Sequence, residues 1–163
     1  MKEKTHASLY QDTLIEGVKI LPLRTIPDER GAIYHGVRKE QLLNDFGEVY
    51  FSKIYPGAIK GWHVHETLEL NYICVHGMIK LVLHDLRKKS KTYGVTQEFF
   101  MGDDNHILVH IPAGVANGSK GFGATPFSLV ANVASHAHDP SLKYKRIDPH
   151  GGEIDYNWDR KDF

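Results

Sequence analysis

The sequence predicts an all-β protein, a double-stranded β-helix or jelly roll. About ten short runs rich in β-branched and aromatic residues recur at regular spacing, with turn residues between them. Helical periodicity is almost missing, which leaves a β-sandwich or barrel. Two segments ending in turn residues, Gly61 to Gly77 and Ile111 to Asn117, select the jelly roll and place a site in the mouth of its barrel.

Taken in order, residues 1 to 13 are polar and read as a flexible or loosely docked start. Gly17 to Leu23 is the first strand. Pro27-Asp-Glu-Arg-Gly31 is a turn in which proline fixes one corner and Gly31 is free to take positive φ. Ala32 to Val37 is a second short strand, and Lys39 to Phe46 carries the one weak helical signal. Strands follow at Glu48 to Tyr55, Ile59 to His65, Leu68 to His76, Met78 to Asp85, Thr92 to Phe100, Ile107 to Ile111 and Phe127 to Val133. Gly118-Ser-Lys-Gly-Phe-Gly123 lacks the strand-to-helix context of a phosphate loop and reads as a hairpin. The tail from Ser135 to Phe163 is polar and turn-rich, pinned to the barrel by Ile147, Ile154, Tyr156 and Trp158.

Composition narrows the partners. The 163 residues suit one domain with one sizeable core. Twenty basic and twenty acidic residues cancel, against a broad cationic surface for nucleic acid or for an anionic membrane. Arg87-Lys-Lys-Ser-Lys91 reads as a solvated turn. Cys74 is alone, so no internal disulfide forms, and it sits in an apolar run as a buried small hydrophobe. With no apolar leader and no run of membrane-spanning length, a cytoplasmic location is expected.

Candidate chemistry centres on Gly61-Trp-His-Val-His-Glu-Thr-Leu-Glu69. Side chains at i and i+2 of a strand share a face, so His63 and His65 project together, with Glu69 able to join them. Such a group serves either proton transfer or metal binding. As a metal site it would be a facial triad of His63, His65 and Glu69 in a metal-dependent oxygenase or isomerase, completed by Asn117 or water. The opening segment is also similar to the first half of the cupin pattern. Its second half follows as Ile111-Pro-Ala-Gly-Val-Ala-Asn117, with asparagine where a histidine is expected.

A wider set of motifs narrows the resemblance. Asp28-x-Arg-Gly31, Pro56-Gly-x-Ile-Lys-Gly-Trp-His63, Leu83-x-Asp-Leu-Arg87, Ser90-x-Thr-x-Gly94 and Ile111-Pro-x-Gly-x-Ala116 occur in one order. Together they resemble the nucleotide-sugar 3,5-epimerases typified by dTDP-4-dehydrorhamnose 3,5-epimerase, over roughly residues 15 to 158. The resemblance implies a jelly roll, a homodimer with exchanged N-terminal strands, a nucleotide-sugar substrate, and neither metal nor cofactor. It assigns His63 as the catalytic base and Lys60 as the diphosphate contact, in place of an arginine. A lysine keeps the charge and loses the two-pronged grip on phosphate. Arg30 matches a substrate-contacting arginine, and Asn117 replaces a histidine.

The chain departs from that pattern late. Where the family has a tyrosine pair before a proline, one tyrosine being the acid, this chain reads Ser135-His-Ala-His-Asp-Pro140. His138, His136 or Tyr144 is then expected to be the acid. Asp159 or Asp162 would orient the ring of His63, as a C-terminal aspartate does in the family. His65, Asn117 or Lys60 could hold the enolate charge, with His136 also placed to contact substrate. Tyr72, Trp62 and Tyr50 offer faces for stacking on a base or sugar. A non-catalytic sugar-binding relative is the remaining alternative.

Overall fold

The computed structural model describes residues 9 to 162. Thirteen strands are present among the described residues, in chain order. They are β1 (Gln11–Asp12), β2 (Lys19–Pro22), β3 (Thr25–Asp28), β4 (Gly31–Tyr34), β5 (Glu48–Ile54), β6 (Ile59–His65) and β7 (Leu70–His76), then β8 (Met78–Asp85), β9 (Thr96–Gly102), β10 (Ile107–Ile111), β11 (Val115–Phe122), β12 (Ser128–Ala134) and β13 (Tyr144–Arg146). A six-stranded sheet runs β1-β2-β10-β7-β12-β5 and a five-stranded sheet runs β13-β6-β11-β8-β9, with β3-β4 as a separate hairpin. Ladders within both large sheets are antiparallel.

The two sheets close on a core that includes Ile54, Leu70, Ile79, Leu81, Leu83, Met101, Val109 and Val130, all buried. Parts of their outer faces are covered too. Trp62, Val64, Val82 and Ala116 on the back of the five-stranded sheet pack against Ile147, Ile154 and Trp158 of the tail. Tyr10 lies over Leu21, Ile73 and Leu108 on the back of the six-stranded sheet. A strand buried on both faces loses strict alternation, which is why β8 and β11 read as nearly continuous buried runs.

Several expectations change. The glycine-rich segment 118 to 123 is not a hairpin but most of β11, the strand between β6 and β8. Its glycines answer a packing demand: a Cβ on Gly118 would stand 2.7 Å from Cη2 of Trp158. The helical signal reduces to one 3-10 turn, Lys39–Gln41. Thr92 lies in a turn, and the strand starts at Thr96. Of the polar start, residues 1 to 8 lie outside the described residues. Tyr10 is docked, its hydroxyl donating to the Gln41 carbonyl at 2.8 Å. No helix among the described residues is long and apolar enough to cross a membrane.

Candidate active site

Strand β6 forms one wall of a cavity of about 650 Å³ between the sheets. His63 and His65 both line it, as residues two apart on a strand should. Lys60 lines it as well, although three residues separate it from His63. The ladder explains this: Asn117 pairs with His63 and Ser119 with Lys60, so three residue steps of β6 face two of β11. That β-bulge returns Lys60 to the cavity face.

The tail supplies the rest of this wall. β13 pairs with β6, Tyr144 opposite His65 and Arg146 opposite His63. Directly paired side chains in an antiparallel ladder share a face, so Tyr144 and Arg146 join the histidines. The Tyr144 ring lies 4.9 Å from that of His65 and is stacked near His63. The Tyr144 hydroxyl is hydrogen-bonded to Nδ1 of His63, and Arg146 Nε donates to the same hydroxyl at 3.0 Å. Among the described residues no carboxylate forms a hydrogen bond or ion pair with His63.

Electrostatics keep this wall cationic and the histidines neutral. Burial, together with the charges of Arg146 and Lys60 and the neighbouring His65 ring, pulls His63 down to about 4. Burial and the neighbouring His136 and His138 lower His65 as well. A neutral imidazole has a lone pair available for a proton. Lys60, Lys143 and Arg146 supply fixed positive charge around the cavity, suited to phosphate oxygens.

The opposite wall comes from the six-stranded sheet. Tyr50 and Ser52 of β5, Tyr72 of β7 and Asn132 of β12 face the cavity there. Ser52 Oγ accepts a hydrogen bond from Lys60 Nζ at 3.0 Å across the gap. Tyr72 donates to Asn117 Oδ1 at 3.3 Å, and Asn117 Nδ2 donates to the His63 carbonyl at 3.1 Å. Asn117 is buried and outside the cavity lining, so it braces Tyr72 and the backbone of the base. Trp62 is buried on the far face of β6 and cannot stack on a ligand in this cavity.

The loop 135 to 143 closes the mouth. His138 lines the cavity from this exposed loop, its backbone N–H donating to Glu48 at 2.9 Å. His136 is half-buried, its Nδ1 3.0 Å from the Ser135 hydroxyl.

Four more of the expected participants lie elsewhere. Asp159 is exposed on a second, small cleft of the tail, its backbone N–H bonded to Asn157, because Trp158 inserts into the back of the five-stranded sheet. Asp162 pairs with Arg160 on the surface. Tyr144 takes the place beside His63 that an aspartate was expected to hold. Arg30 sits at the tip of the β3-β4 hairpin and is paired with Asp28 at 2.6 Å, away from this chain's cavity. Glu69 turns from the histidines: its Oε2 accepts from Asn44 at 3.0 Å and lies 3.9 Å from His110. The facial triad of His63, His65 and Glu69 is therefore not assembled, and no group of three or more His, Cys, Asp or Glu among the described residues could hold a metal ion.

Comparison with known proteins agrees with the fold. The dTDP-4-dehydrorhamnose 3,5-epimerase family model matches residues 12–161. The spore coat polysaccharide biosynthesis protein SpsL of Bacillus subtilis is 38% identical over 146 residues, 89% of this chain and 97% of that protein. The crystal structure of a dTDP sugar isomerase from Desulfovibrio desulfuricans superposes with a TM-score of 0.83 at 33% identity, covering 88% of this chain and 92% of the other. NovW, a 4-keto-6-deoxy sugar epimerase from Streptomyces spheroides, shares the fold at 20% identity, with a TM-score of 0.82 over 91% of this chain and 78% of its own. The chain belongs to the dTDP-4-dehydrorhamnose 3,5-epimerase family.

Proposed function

We propose that the protein inverts carbon 3, carbon 5 or both in a nucleotide-linked 4-keto-6-deoxy sugar, with His63 as the base. One observation carries this reading: a neutral imidazole, fixed by Tyr144, faces a cavity whose near wall also holds Lys60 and Arg146. A 4-keto group acidifies the hydrogens on its neighbouring carbons. Removing one needs a base that is unprotonated at neutral pH, and polar or charged groups to hold the enolate. Lys60 and Arg146 would hold the diphosphate, while His65 stands beside His63 for the developing oxyanion. The dTDP-linked sugars of the relatives are the first to try, and the product would feed a surface polysaccharide or a glycosylated metabolite.

Two further points belong to this reading. Edge strand β5 is the outer strand of the six-stranded sheet and leaves Val49 and Phe51 at 44% and 62% exposure. The β3-β4 hairpin leaves Ile33 at 62%. An uncovered edge with apolar side chains is a pairing surface, and it supports a homodimer in which the hairpin with Arg30 reaches a partner's cavity. Burial raises the lone thiol, Cys74, to about 11, which suits an inert cysteine in a reducing cytoplasm.

The test follows deuterium. Metal-stripped protein and His63→Ala are incubated in D2O with dTDP-, GDP- and CDP-linked 4-keto-6-deoxy sugars, and NMR reads carbons 3 and 5. Exchange and inversion by the wild type, lost in the variant, are expected. Tight nucleotide-sugar binding with no exchange at either carbon would instead make the chain a binding protein.

A further inference from the structure

The groups assigned so far stand on one side. His63, His65, Lys60, Tyr144 and Arg146 all come from β6 and β13, adjacent strands of the five-stranded sheet. Inverting a carbon requires a proton delivered to the face opposite the base, hence from the six-stranded sheet. That wall offers three hydroxyls, on Tyr50, Ser52 and Tyr72. Tyr72 donates its proton to Asn117 Oδ1. Ser52 receives Lys60 and, as an aliphatic alcohol, is a far weaker acid than a phenol.

Tyr50 differs from both. Asn132 Nδ2 donates to its hydroxyl at 2.6 Å, which occupies an oxygen lone pair and leaves the O–H proton with no protein acceptor among the described residues. Asn132 itself is 1% exposed, lines the cavity, and its Oδ1 has no partner among the described residues. A buried amide with one atom committed to Tyr50 and the other unsatisfied at a cavity wall marks a place built to meet a polar ligand. Tyr144 cannot serve as the opposing acid, because its hydroxyl is bonded to the base on the base's own side.

We infer that Tyr50 is the catalytic acid of this site, with Asn132 as its positioning residue; this rests on the epimerase reading above. His63 takes the hydrogen next to the ketone as a proton, and the C–H electron pair moves into an enolate on the carbonyl oxygen. The enolate returns its pair to carbon as the Tyr50 O–H proton arrives from the opposite face. Tyr50 is left as a phenolate held by the Asn132 N–H, and His63 as imidazolium; water at the mouth returns the one proton and removes the other. Burial raises the Tyr50 phenol while the Asn132 bond opposes it, so the group carries its proton at neutral pH.

The experiment separates proton removal from inversion. Wild type, Tyr50→Phe and His138→Gln are each given a dTDP-4-keto-6-deoxy sugar in D2O, after calorimetry shows that dTDP binds each within threefold of the wild type. Tyr50→Phe is expected to keep deuterium entry within about tenfold while inverted product falls at least ~100-fold, the scale of a lost general acid. A variant with both at wild-type rates, or with both lost together despite intact binding, overturns the assignment. So does separation of exchange from inversion in His138→Gln instead of Tyr50→Phe. A wild type with no exchange removes the epimerase reading itself, a result distinct from either.

Discussion

Acidification should weaken the fold through His63, and the size of the effect follows from its surroundings. An unfolded histidine titrates near 6.5, whereas burial beside Arg146, His65 and Lys60 pulls His63 to about 4. The folded state therefore refuses a proton that the unfolded state accepts. Stability is unaffected above pH 6.5, falls as pH drops from 6.5 towards 4, and levels off below that. Each unit of difference is worth about 1.4 kcal/mol, so the ceiling is roughly 3 kcal/mol. At pH 5 the unfolded histidine is nearly fully charged and the folded one nearly neutral, which gives about 2 kcal/mol, or 1–2 after allowing for the partial solvation of the ring. His63→Gln keeps a polar side chain of similar reach that never charges. Urea unfolding of both proteins from pH 8 to pH 4.5 isolates His63, because the other ten histidines are common to both. The expected result is that wild type loses 1–2 kcal/mol relative to the variant by pH 5. A difference that stays constant across the range would refute the depressed His63 and the neutral base built on it.

Two further outcomes follow from contacts at the same wall. Tyr144→Phe removes the hydroxyl at Nδ1 of His63; kcat should fall about tenfold with KM little changed, since ring orientation and not binding is lost, as steady-state kinetics will read. Gly118→Ala drives a methyl to 2.7 Å from Trp158 and should cost about 1–3 kcal/mol by overpacking, measured as a lower urea midpoint at unchanged m-value.

The sequence exposes what alternation and turn chemistry encode. Strands β6, β8 and β10 fall on the expected residues because turn residues bound them. Strand β11 hides because a strand squeezed between two others and Trp158 needs glycines, which in one dimension look like a loop. Strand β13 hides because it is exposed along its length, so no apolar period marks it. The same two gaps shape the site. His63 and His65 are visible as an i, i+2 pair. Lys60 reaches their face only through a bulge that a period of two does not foresee, and resemblance found it where periodicity could not. Tyr144 was visible only as a possible acid. Its place beside the base follows from a pairing between strands far apart in sequence, and the aspartate expected there is held off by the burial of its neighbour Trp158.

The bond between His63 and Tyr144 joins residues 81 positions apart. During synthesis, β6 leaves the ribosome long before β13, so the barrel's central strands exist before the base has its partner. A nascent chain that has reached β12 possesses the pocket floor and the imidazole but not the ring that orients it. The orientation of the base thus waits for a three-residue edge strand whose own burial contributes little. Selection on that strand would act through turnover, with fold stability largely indifferent to its sequence.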